Sequence, residues 1–297
     1  MPKPTPPEDG PKFLDPHLLI ETSEPTGRSE WFWVVLGTLV LLMLVSSWAG
    51  SQAPEIRGLV RAFTAVMMIG GAAGVGFYTW TLAKGRYDEL RRVEALEEMI
   101  QLRRWTDAAM TLQPMLSSPM RTAQGRVQAL IYLGTVLTKY QRYADAMAVH
   151  EYLLAHVAMD DQATHALKCA RVMAMLHEDW LVDADRAINE LRRDASRETS
   201  AGLALVEIYR DVRTGHPVEA IEMFRQRLPQ LRRELGHRVA DAWALVARAY
   251  DMVGQITLAA EAYLNATALA PIAEVSAKYT EVAALTGRYQ PAAAPLE

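Results

Sequence analysis

Cysteine is nearly missing from this chain. A single Cys169 among 297 residues cannot close an internal disulfide or build a Cys-based zinc site, which excludes a stapled secreted mini-domain. Net charge is also small: 31 Lys+Arg against 35 Asp+Glu leave −4, so no overall basic field exists to hold nucleic acid, and no nucleic-acid partner is expected. Lysine is scarce, at six residues against 25 arginines, a skew that reads as genome composition rather than chemistry. Aromatics reach only 8%, while Ala, Leu, Met and Arg are abundant; these are helix formers rather than the residues strands prefer, so the expected class is all-α. Catalytic signatures are missing too. His150-Glu151 and His177-Glu178 both fail as the start of H-E-x-x-H, with Leu154 and Leu181 where the second histidine belongs, and neither G-x-S-x-G nor a Walker A sequence occurs. His165 and Cys169 share a helix face but supply at most two metal ligands. No catalytic residue, metal site or cofactor is expected.

Two stretches carry no charge over a membrane-spanning length, Trp31 to Gly50 and Ala62 to Ala83. At ~1.5 Å per residue, twenty residues cover about 30 Å, the hydrocarbon thickness of a bilayer. Aromatics that favour the interface flank both: Trp31, Trp33 and Trp48 on the first, Phe63, Phe77, Tyr78 and Trp80 on the second. The connection over 51–61 is too short for a domain, so an antiparallel transmembrane hairpin with both termini on one side is expected. Lys84, Arg86, Arg91 and Arg92 follow the second span and Arg28 precedes the first, against Arg57 and Arg61 in the connection. This bias puts both termini in the cytoplasm of a bacterial-type inner membrane, with lipid as one partner. Gly70 and Gly74 form a G-x-x-x-G, and Ala72 and Gly76 repeat the small-residue spacing. Such a face packs either against the first span or against a second copy, which would make a homo-oligomer. Residues 1–30 hold seven of the fifteen prolines and few apolar residues, the composition of a disordered tail.

Everything from 84 to 297 reads as helix pairs. The 34 residues from Ala240 to Ala273 carry Trp243, Val246, Ala247 and Tyr250 on a first helix, Gly254 at a turn, Ile256, then Ala259, Tyr263 and Ala266 on a second helix, and Pro271 near the end. This segment resembles the tetratricopeptide repeat at each of its signature positions. Weaker copies follow the same template: Leu130, Leu133, Gly134, Leu137, Tyr143, Ala146 and His150 in one, with Gln141 in place of the turn glycine; Ala95, Leu96, Met99, Trp105, Ala108 and Leu112 in another; Gly215, Pro217, Ala220 and Phe224 in a third. Ala170, Ala174, Trp180, Ala184 and Ile188 suggest a degenerate copy with a one-residue slip after its turn, and Tyr279, Gly287, Tyr289 and Ala292 a truncated last unit. The alanines at 108, 146, 184, 220, 259 and 292 are spaced by 38, 38, 36, 39 and 33 residues. Small residues here let the two helices of a pair approach closely.

The resemblance implies a right-handed α-solenoid whose concave groove binds a protein or peptide. Carried onto this sequence, the groove positions of the family fall at Thr135, Thr138 and Lys139, at His165 and Lys168, at Tyr209 and Arg213, and at Asp241, Arg248 and Asp251. Two functions follow as expectations: a non-catalytic membrane-anchored scaffold that holds a protein at the bilayer, or a structural subunit of a membrane complex whose groove is filled by its own tail or a fixed neighbour. The arginines at 225, 227, 232, 233 and 238 form a local basic strip, interrupted by Pro229, which is expected to kink or end its helix.

Overall fold

A computed structural model describes residues 13–25, 37, 40, 44, 57–194 and 200–289. All regular structure among them is helical, as the composition predicts. The helices are α1 (Pro16–Thr22), α2 (Arg57–Gln101), α3 (Trp105–Leu116), α4 (Ala123–Lys139), α5 (Tyr143–His156), α6 (Asp161–His177), α7 (Leu181–Asp194), α8 (Ala201–Thr214), α9 (Pro217–Leu235), α10 (Val239–Met252), α11 (Ile256–Leu269), α12 (Ile272–Lys278) and α13 (Thr280–Tyr289). Two compact units divide the chain, one spanning 17–132 and the other 133–297 together with the residues up to 16.

In the first unit, α2 is one continuous helix of 45 residues, about 68 Å at the standard rise. It begins at Arg57, inside the expected connection, and runs without a break from the apolar stretch into Leu96 and Met99 of the first helix pair. No proline interrupts 57–101, so nothing forces a boundary near Lys84. It is the one described helix long and apolar enough by itself to cross a membrane, and none of that window is buried: Val66, Ile69, Phe77 and Trp80 are each more than half exposed. Of the stretch 31–50 only Gly37, Val40 and Leu44 are described, all helical, and the rest lies outside the described residues. The expected disordered tail contains a short helix instead. Leu19 is buried, the Thr22 hydroxyl donates to Leu116 O at 2.8 Å, and Arg126 donates to Ile20 O at 2.8 Å, so α1 is held by partners about a hundred residues away.

From α2 onward the chain repeats one local device. At the end of the first helix of each pair a residue takes the left-handed conformation: Arg103, Gln141, Asp179, Gly215 and Gly254, with φ of 58°, 59°, 65°, 81° and 76°. The next amide then bonds back five residues, Arg104 to Met99 O, Arg142 to Leu137 O, Trp180 to Met175 O, His216 to Asp211 O and Gln255 to Tyr250 O, all at 2.8–2.9 Å. This closes the helix end with a Schellman-type bond and reverses the chain. Five residues after each turn stands an alanine, 108, 146, 184, 220 and 259, and every one is fully buried. The interval at Asp179 equals the others, so the degenerate pair contains no slip after its turn; its departure lies upstream, within α6.

In the second unit neighbouring helices pack in sequence, α5 on α6, α6 on α7, α8 on α9 and α10 on α11, while α6 also meets α8 and α8 meets α10. First helices therefore touch first helices of the next pair, which is how stacked pairs bury a continuous core. Gly134 lies against His150 so closely that an added Cβ would stand 2.7 Å from Nε2. Pro229 sits inside α9 on its exposed side and does not end it. Its missing N–H removes a single bond from a helix of 19 residues whose other side is anchored by Ala220, Phe224 and Leu231.

Candidate functional site

The last helices of the chain lie against first helices of successive pairs: α12 and α13 pack on α10, and their side chains reach Lys139 of α4 and Arg213 of α8. After α11 the chain bends by 108° at Ala270-Pro271 into α12. Tyr279, extended at φ −116° and ψ 99°, links α12 to α13. Tyr279 is fully buried, with its ring 4.9 Å from Tyr209 in an edge-on contact and 5.6 Å from His177. His177 in turn stacks on Tyr143 at 4.3 Å. Four aromatic rings from α5, α6, α8 and the α12–α13 link thus form one cluster.

Charge surrounds the cluster in a defined order. Arg213 donates to the Tyr209 hydroxyl at 3.0 Å and to Glu281 at 2.7 Å, and also pairs with Asp179. Because arginine cannot accept, the Tyr209 oxygen is the acceptor there, and the same hydroxyl is hydrogen-bonded to His177 Nδ1, 3.1 Å away. The other ring nitrogen, His177 Nε2, is buried without a hydrogen-bond partner among the described residues. Burial, reinforced by Lys278 and Arg213, pushes its pKa down to about 3. Burial likewise drives the Tyr143 hydroxyl up to about 12, and raises Tyr209 and Tyr279 as well. The aromatic core of the site is therefore uncharged at neutral pH, ringed by ion pairs in which Arg213 and Asp241 are mostly buried.

Six of the ten residues expected in the groove take part in or border this arrangement. Lys139 pairs with Glu274 at 3.6 Å. Tyr209 and Arg213 hold Tyr279 and Glu281 as above. Asp241 accepts from Lys278 and, at 3.3 Å, from the Tyr279 hydroxyl. Asp251 accepts from Arg248 at 2.8 Å, from Tyr289 at 2.9 Å, and from Arg288. Thr138 turns inward to its own helix, donating to Gly134 O at 2.8 Å, and Thr135 is exposed. His165 and Lys168 form a separate group: His165 Nε2 is 2.6 Å from the Ser200 hydroxyl, and Lys168 pairs with Asp194 at 2.6 Å. Cys169 Sγ stands 3.7 Å from the same His165 nitrogen, and burial raises its thiol pKa to about 11, which keeps it protonated. No group of three His, Cys, Asp or Glu converges as a metal site among the described residues.

Sequence reasoning missed His177, Lys278, Glu281 and Arg288 as members of the site. A signal was present: Lys278-Tyr279, Glu281 and Arg288-Tyr289 place charge beside aromatics at short intervals along an otherwise uncharged stretch over 278–289. On α2, a Cβ added at Gly70, Gly74 or Gly76 would meet nothing within 4 Å, so this small-residue face has no neighbour among the described residues; the side chain of Ala72 lies outside them. The arginines after Phe224 are engaged locally, Arg225 with the Tyr250 hydroxyl at 3.1 Å and Arg232 over the Trp243 ring. No protein-family profile, characterised protein or solved structure matches this chain.

Proposed function

We propose that this chain is a non-catalytic, membrane-anchored adaptor of the tetratricopeptide type, which holds a protein or peptide partner on the face made by its first helices, close to a bilayer. The observation that carries the reading is the fivefold recurrence of a left-handed turn followed five residues later by a buried alanine. Stacked helix pairs of this kind present extended surfaces rather than enclosed reaction sites. The anchoring part rests on α2, whose uncharged stretch is long enough to span and whose Val66, Ile69, Phe77 and Trp80 are each more than half exposed. Contiguous apolar exposure of that size marks a surface that water does not normally cover. Anchoring would raise the effective concentration of a partner at the membrane. An inner-membrane hairpin with cytoplasmic termini is the topology that the basic residues at 84, 86, 91 and 92 favour.

Three measurements test the proposal. Purified full chain, freed of detergent in the presence of phosphatidylethanolamine–phosphatidylglycerol vesicles, is expected to float with them, and to stop floating when Val66 and Ile69 are changed to Glu. Reporters fused after Glu297 are expected to be active only in the cytoplasm; activity outside would overturn the topology. A photo-crosslinking residue at Thr135 is expected to yield a discrete protein adduct in native membranes, and one at exposed Arg186 is not. Equal labelling at both would remove the case for the face.

A structural-subunit role is the second reading, favoured by the small-residue face of α2 with open space at Gly70, Gly74 and Gly76. Gly70→Leu with Gly74→Leu would then lower the oligomeric mass in detergent, whereas a monomer before and after excludes self-association by this route.

A further inference from the structure

The segment Ile272–Tyr289 behaves as a ligand that happens to be covalently attached. Its helices have seven and ten residues, lengths at which an isolated helix is marginal in water, so its shape is imposed by the surface it lies on. That surface is made by Lys139 at the end of α4 and Gln141 just after it, Tyr209 and Arg213 on α8, and Asp241 at the start and Asp251 near the end of α10; all but Gln141 are positions where the tetratricopeptide resemblance puts partner contacts. Complementarity is reciprocal. The face offers two carboxylates, Asp241 and Asp251, to Lys278 and Arg288 of the segment, and two cations, Lys139 and Arg213, to its Glu274 and Glu281. Between these charges Tyr279 enters the aromatic cluster, and Gln141, at the turn after α4, donates to the backbone of Ala277 at 2.8 Å.

We infer that this face is a helix-binding surface with a built-in occupant, and that the partner of the adaptor proposed above, on which this inference rests, is a protein segment carrying the same pattern: an acid, then Lys-Tyr, a second acid two residues after the Tyr, and a further Arg-Tyr about one helical length on. Such a segment makes the same ion pairs and fills the same aromatic slot, so it binds by displacing Ile272–Tyr289. The chain joins the segment to α11 only through the 108° bend at Ala270-Pro271, and Val275, Tyr279, Val282 and Leu285 are the side chains that displacement would uncover.

The probe is a fluorescein-labelled synthetic peptide of residues 272–289, followed by anisotropy with full-length chain in detergent micelles. Wild-type chain is expected to bind it at least tenfold more weakly than a Lys278→Ala/Arg288→Ala variant, whose occupant has lost both cations while Asp241 and Asp251 remain. Adding Asp251→Asn to that variant is expected to weaken peptide binding about tenfold again. A folded release variant, judged by unchanged helical circular dichroism, that binds no better than wild type overturns the inference, as does binding indifferent to Asp251→Asn. Should the release variant not fold, hydrogen exchange on wild type decides: amides of 275–289 are expected to exchange at least tenfold faster than those of α10, and equal protection overturns the inference by making the segment part of the core. The two readings fail separately. Peptide binding without vesicle flotation sinks the membrane adaptor and leaves the face; a Thr135 adduct that excess peptide does not compete sinks the inference and leaves the adaptor.

Discussion

Replacing Gly134 with Ala tests the tightest glycine site described in the second unit. In an exposed helix this change would stabilise by about 1 kcal/mol, the difference in helix propensity. Here the new methyl would stand 2.7 Å from His150 Nε2 and 3.1 Å from Cδ2. His150 is only 4% exposed, so its ring has no solvent to swing into, and α5 must shift instead. Overpacking of this kind costs about 1–3 kcal/mol, and after subtracting the propensity gain the expected net loss is about 0–2 kcal/mol. Gly287→Ala on α13 is the matched control: a Cβ there meets nothing within 4 Å, and the propensity gain of about 1 kcal/mol should appear undiminished. Since two compact units need not unfold together, the assay is residue-resolved hydrogen exchange over 143–156 on the full chain in detergent rather than a single melting curve. Gly134→Ala should speed exchange in α5, and His150→Ala in the same chain should cancel most of the added penalty. If Gly134→Ala slows exchange, or if its effect is the same with and without His150, the steric argument is wrong.

Acidification should weaken the second unit through two histidines. Burial holds His177 at about 3, beside Tyr143, Tyr209, Tyr279, Arg213 and Lys278, and holds His150 at about 4, with Arg171 adding to the effect. Both lie below the unfolded value of ~6.5, so the unfolded chain takes up protons that the folded chain refuses; stability is complete above that value and is lost as the pH falls towards the folded values. Each histidine should cost about 1 kcal/mol per pH unit below 6, read as faster exchange in α5 and α6, and His177→Phe should remove its share of the slope. At the turns, Gly254→Ala should destabilise by about 1 kcal/mol because φ is 76°, while Gly254→Asn should cost less, since Asn tolerates the left-handed region; equal costs in urea melts of the second unit would contradict the assigned turn.

Local chemistry was legible in the sequence wherever the deciding contact lies within one helix pair. The alanine spacing of 38, 38, 36 and 39 residues reappears in the left-handed turns, because a turn and the helix it starts are specified by residues five apart. Even Gln141 could be placed in a glycine's position, and it adopts the expected conformation. The apolar stretch from 62 to 83 needed only length and the absence of charge to mark a helix able to span a membrane. Sequence reasoning singled out Tyr209, Arg213, Asp241 and Asp251 but could not say that Tyr279, Glu281, Lys278 and Arg288 lie against them.

Their partners were decided by tertiary structure. Arg213 and Glu281 are 68 residues apart and Gln141 and Ala277 are 136 apart, distances over which small rotations between successive pairs accumulate and no periodicity reports the sum. The same limit explains the tail: Pro16–Thr22 is too short to be a helix by itself, and it becomes one against Leu116 and Arg126, on elements about a hundred residues further along the chain. Propensity, turn chemistry and charge content are properties of neighbouring residues and so can be read from their order. Which surface covers which depends on the path of the whole stack, and only the folded chain supplies that.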